Sequence, residues 1–267
     1  MHQTSSTPAR GLDLQRGFAA VKGGYVEYFR TYTYNAPVVL SLATAEELRR
    51  LGLIIYKAIS HMLAHYERYL HLMPRDDHDL EILRICSKYP CPVGTYRTDF
   101  VVDEADRLWI IEMTTRQPLN GYFTSGFLRE IALEQAERLG LKGVVDLYPR
   151  FFSYVERHLG RAKRVCAIKG NEKLEEIKIY PAVFEQAGLP CHIIPLAELP
   201  QRLGLLDEAW VIEELTLGEI RALPLEIIEA LARRRLHNAI KSILFSHDKR
   251  FYRVLNQAGF VENALTV

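Results

Sequence analysis

The sequence predicts an α/β protein whose two halves are built differently. A long amphipathic helix and an antiparallel hairpin predict an α+β N-terminal half. Strands and helices alternate after Arg164, which is typical of a Rossmann-like, three-layer α/β second half. With 267 residues, the chain is long enough for one large domain or two smaller ones.

The composition narrows the class of protein. The net charge is +1 at pH 7, so we expect no general attraction to nucleic acid or to an anionic membrane. The four cysteines form no C-x-x-C pair and no metal-ligand spacing, which favours reduced thiols. The N-terminal stretch lacks the apolar core of a signal peptide, and no apolar run approaches the roughly 20 residues that cross a bilayer. The sequence therefore predicts a soluble, cytoplasmic protein.

The first half begins with a clear helix signal. The stretch TAEE predicts a capping box with Thr44 as N-cap, and apolar residues then recur every three or four positions. Two strand-like runs follow, at 96–102 and 107–113. Helical patterns come after the strands, and each of them ends at a glycine. These signals predict helices around a sheet that contains the hairpin.

The second half is predicted as strands alternating with helices. RVCAIKG, CHIIPL, EAWVIEEL and AIKSILFS are predicted strands, and DKRFYRVLNQAGF is a predicted closing helix. No G-x-G-x-x-G follows the first strand, so a dinucleotide site is not expected. We predict three segments: residues 1–160, 161–245 and 246–267.

The hairpin places two acids inside apolar strands. A turn centred on Ala105 and Asp106 sets Asp99 opposite Glu112 and Arg97 opposite Thr114 on one face. The other face would then carry Phe100, Val102, Trp109 and Ile111. Like charges that lie directly opposite are destabilising, so two buried carboxylates need a cation or a shared proton.

Three interpretations of this acidic pair stay open from the residues alone. The first is a solvated polar face on which Arg97 pairs with Asp99. The second is a proton-sharing pair for general acid–base chemistry. The third is a divalent metal, Mg²⁺ above all, held by Asp99 and Glu112, with Arg97 close enough to contact a phosphate.

The stretch YRTDFVVDEADRLWIIEMTTR, the α/β segment after Arg164 and ILFSHDKRFYRVLNQAGF together resemble the circularly permuted ATP-grasp family, which includes glutathionylspermidine synthase-like proteins. In that family the metal-ligand half comes first, a Rossmann-like domain follows, and a lobe with ATP-binding lysines comes last. The resemblance implies these same roles for residues 1–160, 161–245 and 246–267, the last being the start of a missing or truncated lobe.

The resemblance also implies an activity. ATP, with Mg²⁺, would phosphorylate a small-molecule carboxylate, and an amine would attack the acyl phosphate, as in a carboxylate–amine ligase. It implies metal ligation by Asp99, Glu112 and Thr114, catalysis by Arg97 and Arg116, ATP contacts from Arg97 and Lys249, and substrate contacts from Arg116 and Asn120.

Two departures from the family pattern qualify this expectation. Thr114 stands where the family has asparagine and is a weaker metal ligand, so either Thr115 or Asn120 substitutes for it or metal binding is altered. The glycine-rich lid and lysine lobe are missing from the sequence, so we expect a partner or a downstream lobe to supply them. The alternative function is a non-catalytic ligand-binding or scaffold protein derived from the same fold.

Overall fold

The computed structural model confirms the α/β prediction, since its helices accompany a two-stranded antiparallel sheet and a four-stranded parallel sheet. None of the helices in the described residues is long and apolar enough to cross a membrane. The structure describes residues 40–105, 107–116, 119, 121, 136–141, 153–154, 162–171, 176–186, 188–257 and 259.

The chain divides into two compact units built from separate segments. One unit comprises residues 1–38, 119–167 and 173–193, and the other comprises residues 39–118, 168–172 and 194–267. Most of the described residues belong to the second unit. The segment boundary predicted at 160–164 begins in residues outside the described ranges, so the division into 1–160, 161–245 and 246–267 stays a prediction.

Helix α1 spans Leu42–His65 and begins before the predicted N-cap. The Ser41 hydroxyl accepts the backbone N–H of Thr44 at 3.0 Å, so Ser41 is the N-cap and Thr44 lies in the first turn. A short 3-10 helix, Tyr66–Tyr69, follows directly. The buried face of α1 has helical spacing and consists of Leu51, Ile55, Ala58, Ile59, Met62 and Leu63.

The predicted hairpin is present. After helix α2 (Asp77–Ser87), strand β1 (Arg97–Val102) pairs in antiparallel fashion with strand β2 (Leu108–Thr114). The predicted register is confirmed where Asp99 lies opposite Glu112. A bulge then shifts the pairing, so that Phe100 lies opposite Ile110 and not opposite Ile111.

The bulge explains how the strand accommodates an acid. Leu108 and Ile110 are buried, and strict alternation would bury Glu112 as well. The extra residue, Ile111, reverses the phase, so that Met113 is buried and Glu112 is exposed. The buried β2 residues are therefore not the predicted Trp109 and Ile111, and Val102 on β1 is exposed as well.

The second half follows the predicted alternation. Its sheet has the order β4-β3-β5-β6, so the chain runs to one side of β3 and then crosses to the other. The remaining elements are β3 (Arg164–Lys169), α3 (Ile179–Gln186), β4 (Cys191–Pro195), α4 (Leu199–Arg202), β5 (Ala209–Glu214), α5 (Leu217–Ala222), α6 (Leu225–Ala232), β6 (Arg235–Leu236), α7 (Ile240–Ser246) and α8 (Phe251–Gln257), with 3-10 turns at Glu176–Lys178, Leu196–Glu198 and Leu203–Leu206.

One predicted strand is wrong. AIKSILFS forms helix α7, and the fourth strand of the sheet is the two-residue β6, which was not among the predicted strands. All seven residues of α7 are buried, and the helix contacts α1, α2, α5 and β2. A short helix that is buried on every side has no amphipathic period, so its pattern does not differ from that of a buried strand.

Buried charges hold α7 in place. The Arg75 side chain is only 2% exposed, and its guanidinium donates to the Leu244 carbonyl of α7 at 2.6 Å. The same guanidinium lies 3.1 Å from the Asp248 carboxylate and 3.7 Å from that of Asp79. Arg221 completes the network with two hydrogen bonds to Asp79, at 2.6 and 2.8 Å. Four segments of the chain meet in this network: the start of α2, α5, α7 and the turn before α8.

We expect Asp79→Asn to lower the free energy of unfolding by about 3–5 kcal/mol, because the change leaves the buried Arg75 guanidinium without one of its two counter-charges. Urea denaturation measures the loss. The matched control is Glu81→Gln on the same helix, which breaks a solvent-exposed pair with Arg84 and should cost about 1 kcal/mol or less. Equal losses in the two variants would contradict a central role for the network.

Candidate functional site

The acidic pair on the hairpin is an open surface feature. Asp99 and Glu112 lie opposite each other and both are exposed. In the described residues, no group of three or more His, Cys, Asp or Glu side chains could hold a metal ion. The bulge keeps both carboxylates of the predicted magnesium site solvated and out of the core, and their ligation of a metal stays a prediction.

Among the other residues proposed from the sequence, Arg97 lies opposite Thr114 as predicted, but their side chains differ in exposure. Arg97 is exposed at the start of β1, and Lys249 is exposed in the turn before α8. The Thr114 hydroxyl is buried, lies 2.6 Å from the Nε2 atom of His247, and accepts the Arg116 backbone N–H at 3.1 Å. Thr114 thus joins the hairpin to the end of α7. Asn120 lies outside the described residues, so its predicted role stays a prediction.

A seam of buried side chains near β6 was not predicted. Asn238 accepts the Gly94 N–H at 2.7 Å and donates to the carbonyls of Thr95 and Thr115. The Thr95 N–H donates to the Nε2 atom of His237 at 3.0 Å. A Cβ atom on Gly94 would lie only 2.5 Å from the His237 carbonyl oxygen, so this crossing requires glycine. These side chains form hydrogen bonds with the neighbouring backbone, so they serve to hold the fold together.

The crevice at the carboxyl ends of β3 and β5 is already occupied. Open α/β sheets bind ligands at the point where the strand order reverses, which here lies between these two strands. The Glu219 carboxylate fills this position, accepting the backbone N–H groups of Asn171 and Thr216. A Cβ atom on Gly170 would collide with the same carboxylate. The usual anion site of such a fold is therefore taken by the protein's own side chain.

Glu213, near the end of β5, is a buried acid. Among the described residues its Oε2 atom has no hydrogen-bond partner, while the Leu215 backbone N–H donates to the carboxyl group. Burial raises the pKa of Glu213 well above its ordinary value, and the neighbouring Glu214 raises it further. The Leu215 N–H and the Arg116 charge act in the opposite direction. Burial of Glu213 therefore favours the neutral form of its carboxyl group.

A cleft of about 560 Å³ opens beside the end of α1. We call it the Lys241 cleft, and it is lined by Ser60, Tyr66, Arg68, Ser87, Cys91 and Lys241 among others. Its volume lies in the range of small-molecule sites. Its lining residues come from helices α1, α2 and α7, from the 3-10 helix Tyr66–Tyr69 and from the chain that follows α2.

Lys241 is the unusual residue of this cleft. The residue is 3% exposed, and its ammonium donates to the Leu63 carbonyl at 2.6 Å and to the Ser87 hydroxyl at 3.2 Å. The ammonium also lies 5.3 Å from the centre of the Tyr66 ring. No carboxylate in the described part of the chain forms an ion pair with it. A buried ammonium that only neutral groups contact is a rare arrangement.

Two thiols adjoin Lys241. The Cys91 thiol lines the cleft, and the buried Cys86 interacts electrostatically with it. Burial raises the pKa of Cys86 to about 12, although the Lys241 charge and backbone N–H oppose the increase. All four cysteines of the chain are free. Because a thiol with so high a pKa is a poor nucleophile, Cys86 serves as a packing residue.

Sequence reasoning missed the cleft. Its residues are separated by up to about 180 positions, and Lys241 lies within a stretch that was predicted as a strand. The one available signal was a lysine in the middle of AIKSILFS, an apolar run in which a charge needs an explanation.

A family model described as the AnkG N-terminal domain matches residues 51–245, well over half of the chain. No curated protein sequence matches the chain. The matched region includes α1, α2, the hairpin, the parallel sheet and most of α7.

This match corrects the resemblance drawn from the sequence. The matching family is not an ATP-grasp family, so the assignment to the glutathionylspermidine synthase-like group and to a carboxylate–amine ligase is wrong. The matching motifs were short, and a hairpin with R-x-D and a following glutamate arises in unrelated folds. ATP binding and magnesium binding lose their support together with the resemblance.

We expect Glu112→Gln to raise the free energy of unfolding by about 0.2–1 kcal/mol, because it removes a like charge directly opposite Asp99. Urea denaturation measures the gain, with Glu104→Gln in the hairpin connection as the control. A loss of stability that disappears in EDTA would show instead that a bound cation holds the pair.

Glu213→Gln should flatten the pH dependence of stability. Because the folded-state pKa of Glu213 is raised, the unfolded chain loses this proton first as the pH rises. The stability of the wild type should therefore fall with rising pH above the ordinary glutamate pKa of about 4.3. Urea denaturation between about pH 5 and pH 8 compares the slopes, with the exposed Glu226→Gln as control. An unchanged slope in Glu213→Gln would contradict the neutral, buried carboxyl group.

Proposed function

Because the chain belongs to the AnkG N-terminal domain family and not to a ligase family, we propose that it is a ligand-binding module and that the Lys241 cleft is its binding site. The observation that carries the proposal is the buried Lys241 ammonium at a cleft of small-molecule size. Proteins retain a desolvated charge of this kind where it serves recognition or chemistry.

Binding is favoured over group transfer by the state of the other polar groups. The hydroxyls of Thr115, Ser242 and Ser246 hydrogen-bond to one another inside the core. Thr114 is committed to His247 and to the Arg116 N–H, and Glu219 closes the crevice of the sheet. These groups are used to hold the fold together, whereas the Lys241 cleft is open and has a charged side chain at its wall.

The family supports a modular role. Its description is that of an N-terminal domain, which names a position in a protein and not a reaction. A cytoplasmic location is part of the proposal, and the four free cysteines are consistent with a reducing compartment.

The test is a screen of small polar molecules by two-dimensional amide NMR. We expect ligands to shift the amide signals of Ser87, Cys91 and Lys241, which line the cleft from separate segments. Ala64→Trp places a bulky side chain at the cleft wall and should abolish these shifts. Leu53→Trp, at an exposed position on the same helix, is the matched control and should leave them unchanged.

Two results would overturn the proposal. The first is a screen in which no compound of any charge shifts the cleft signals. The second is binding that persists in Ala64→Trp, because the ligand would then occupy another part of the protein.

A further inference from the structure

We infer that the ligand of the Lys241 cleft carries an oxyanion, a carboxylate or phosphate group, which binds the Lys241 ammonium. This inference rests on the proposed function, since it names the chemical class that the proposed site selects. It is argued from the charges of the cleft, from the unused donor of the ammonium and from the rigidity of α7.

The charges of the cleft sum to a positive value. Lys241 and Arg68 each contribute one positive charge, and Glu67 contributes one negative charge. The end of α1, where the Leu63 carbonyl accepts from Lys241, adds the equivalent of about half a negative charge through the helix dipole. A net positive charge remains, and it is concentrated at Lys241, where burial weakens screening by water and salt.

The contacts of Lys241 leave one donor unused. An ammonium has three N–H donors, and in the described residues two of them are taken, by the Leu63 carbonyl and the Ser87 hydroxyl. Both acceptors are neutral, so they satisfy hydrogen bonds without cancelling the charge. A ligand oxyanion would supply the missing acceptor and the missing counter-charge in one contact.

The helix end alone is an incomplete explanation of Lys241. A lysine that stabilises a helix terminus does so from the surface, where its long side chain keeps the ammonium hydrated. Here the lysine comes from a different element, α7, and is almost fully buried. Burial of an ammonium is costly without a counter-charge, and the Leu63 carbonyl, the Ser87 hydroxyl and the Tyr66 ring supply only neutral contacts.

The position of the ammonium is fixed before any ligand arrives. Lys241 is followed directly by Ser242, whose hydroxyl donates to Thr115, and three residues later the Leu244 carbonyl accepts from Arg75. Both neighbours hold α7 to other elements, so Lys241 loses little conformational freedom when a ligand binds. Such preorganisation favours a small ligand that makes few contacts.

The lining limits the rest of the ligand. Ser60, Ser87 and Cys91 present small polar side chains, and a cleft of about 560 Å³ accommodates a compact molecule. We therefore assign the cleft to a small, hydroxylated carboxylate or phosphate compound. Leu63, Ala64 and Tyr66 also line the cleft, so the body of the ligand would meet apolar as well as polar surface.

The experiment titrates four probes into the full 267-residue chain: inorganic phosphate, acetate, glycerol and tetramethylammonium chloride. The protein is labelled with ¹⁵N-lysine, so that the Lys241 ammonium signal reports on the site itself. We expect phosphate or acetate to shift this signal saturably, and we expect the affinity to fall as the salt concentration rises. A response to phosphate alone would assign a phosphate compound, and a response to acetate alone would assign a carboxylate; either result supports the inference.

Variants separate the charge from the fold. Lys241→Met should weaken binding of the oxyanion about tenfold or more, because it removes a charged hydrogen bond. Calorimetry measures the affinity. Arg68 is exposed, so the Arg68→Gln variant should fold normally. We expect it to weaken binding of the oxyanion about two- to fivefold. Lys57→Gln, an exposed lysine of α1 outside the cleft lining, is the control for a general charge effect and should leave the affinity unchanged.

The outcomes distinguish this inference from the proposed function. If glycerol or tetramethylammonium shifts the cleft signals and neither anion does, the cleft binds a ligand but the oxyanion class is wrong. Equal effects of Arg68→Gln and Lys57→Gln would also overturn the inference, because the anion would then respond to net charge and not to the cleft. If none of the probes and no compound of the wider screen shifts a cleft signal, both proposals fail.

Discussion

The buried Arg75 guanidinium is the contact on which the described fold depends. It satisfies the Leu244 carbonyl of α7, lies 5.3 Å from the centre of the Phe245 ring and faces the carboxylates of Asp79 and Asp248. Burial lowers the pKa of Arg75 and the two acids raise it, so desolvation and attraction oppose each other at one side chain. The contacts are directional, and they are made together only when α2, α7 and the turn before α8 are correctly arranged. The network therefore contributes more to the choice of one arrangement than to net stability.

Helix α7 links the ion network around Arg75 to the Lys241 cleft, because it carries both Leu244 and Lys241. Its residues are buried on all sides, so the helix has no freedom to rotate without breaking contacts on several elements at once. Leu244 is held by Arg75, and Lys241, one turn earlier, extends to the end of α1 and to Ser87. The position of the ammonium is thus a consequence of how the ion network fixes the helix. A binding site built in this way needs few residues of its own.

The sequence predicted those elements whose formation depends on residues that are close together along the chain. The hairpin and the pairing of Asp99 with Glu112 followed from a short turn and alternating strands, and three strands of the parallel sheet followed from apolar runs between helices. The bulge at Ile111 was not predictable, because it depends on which face of β2 packs on the core. Helix α7 was missed because full burial removes its period. The cleft was missed because Leu63, Ser87 and Lys241 meet only in the tertiary structure.

The occupied crevice at the carboxyl ends of β3 and β5 bears on which ligands this fold can select. Glu219 is attached to the protein that it binds, so it competes with dissolved anions as a tethered ligand with an effective concentration of about millimolar or higher. Free phosphate at comparable concentrations displaces such a competitor poorly, and the displaced carboxylate would also lose its helix-capping contacts at Thr216. Glu219 therefore opposes the binding of a phosphate group at the position where related architectures hold nucleotides. A ligand of the proposed Lys241 site would then be selected by helices and not by the parallel sheet.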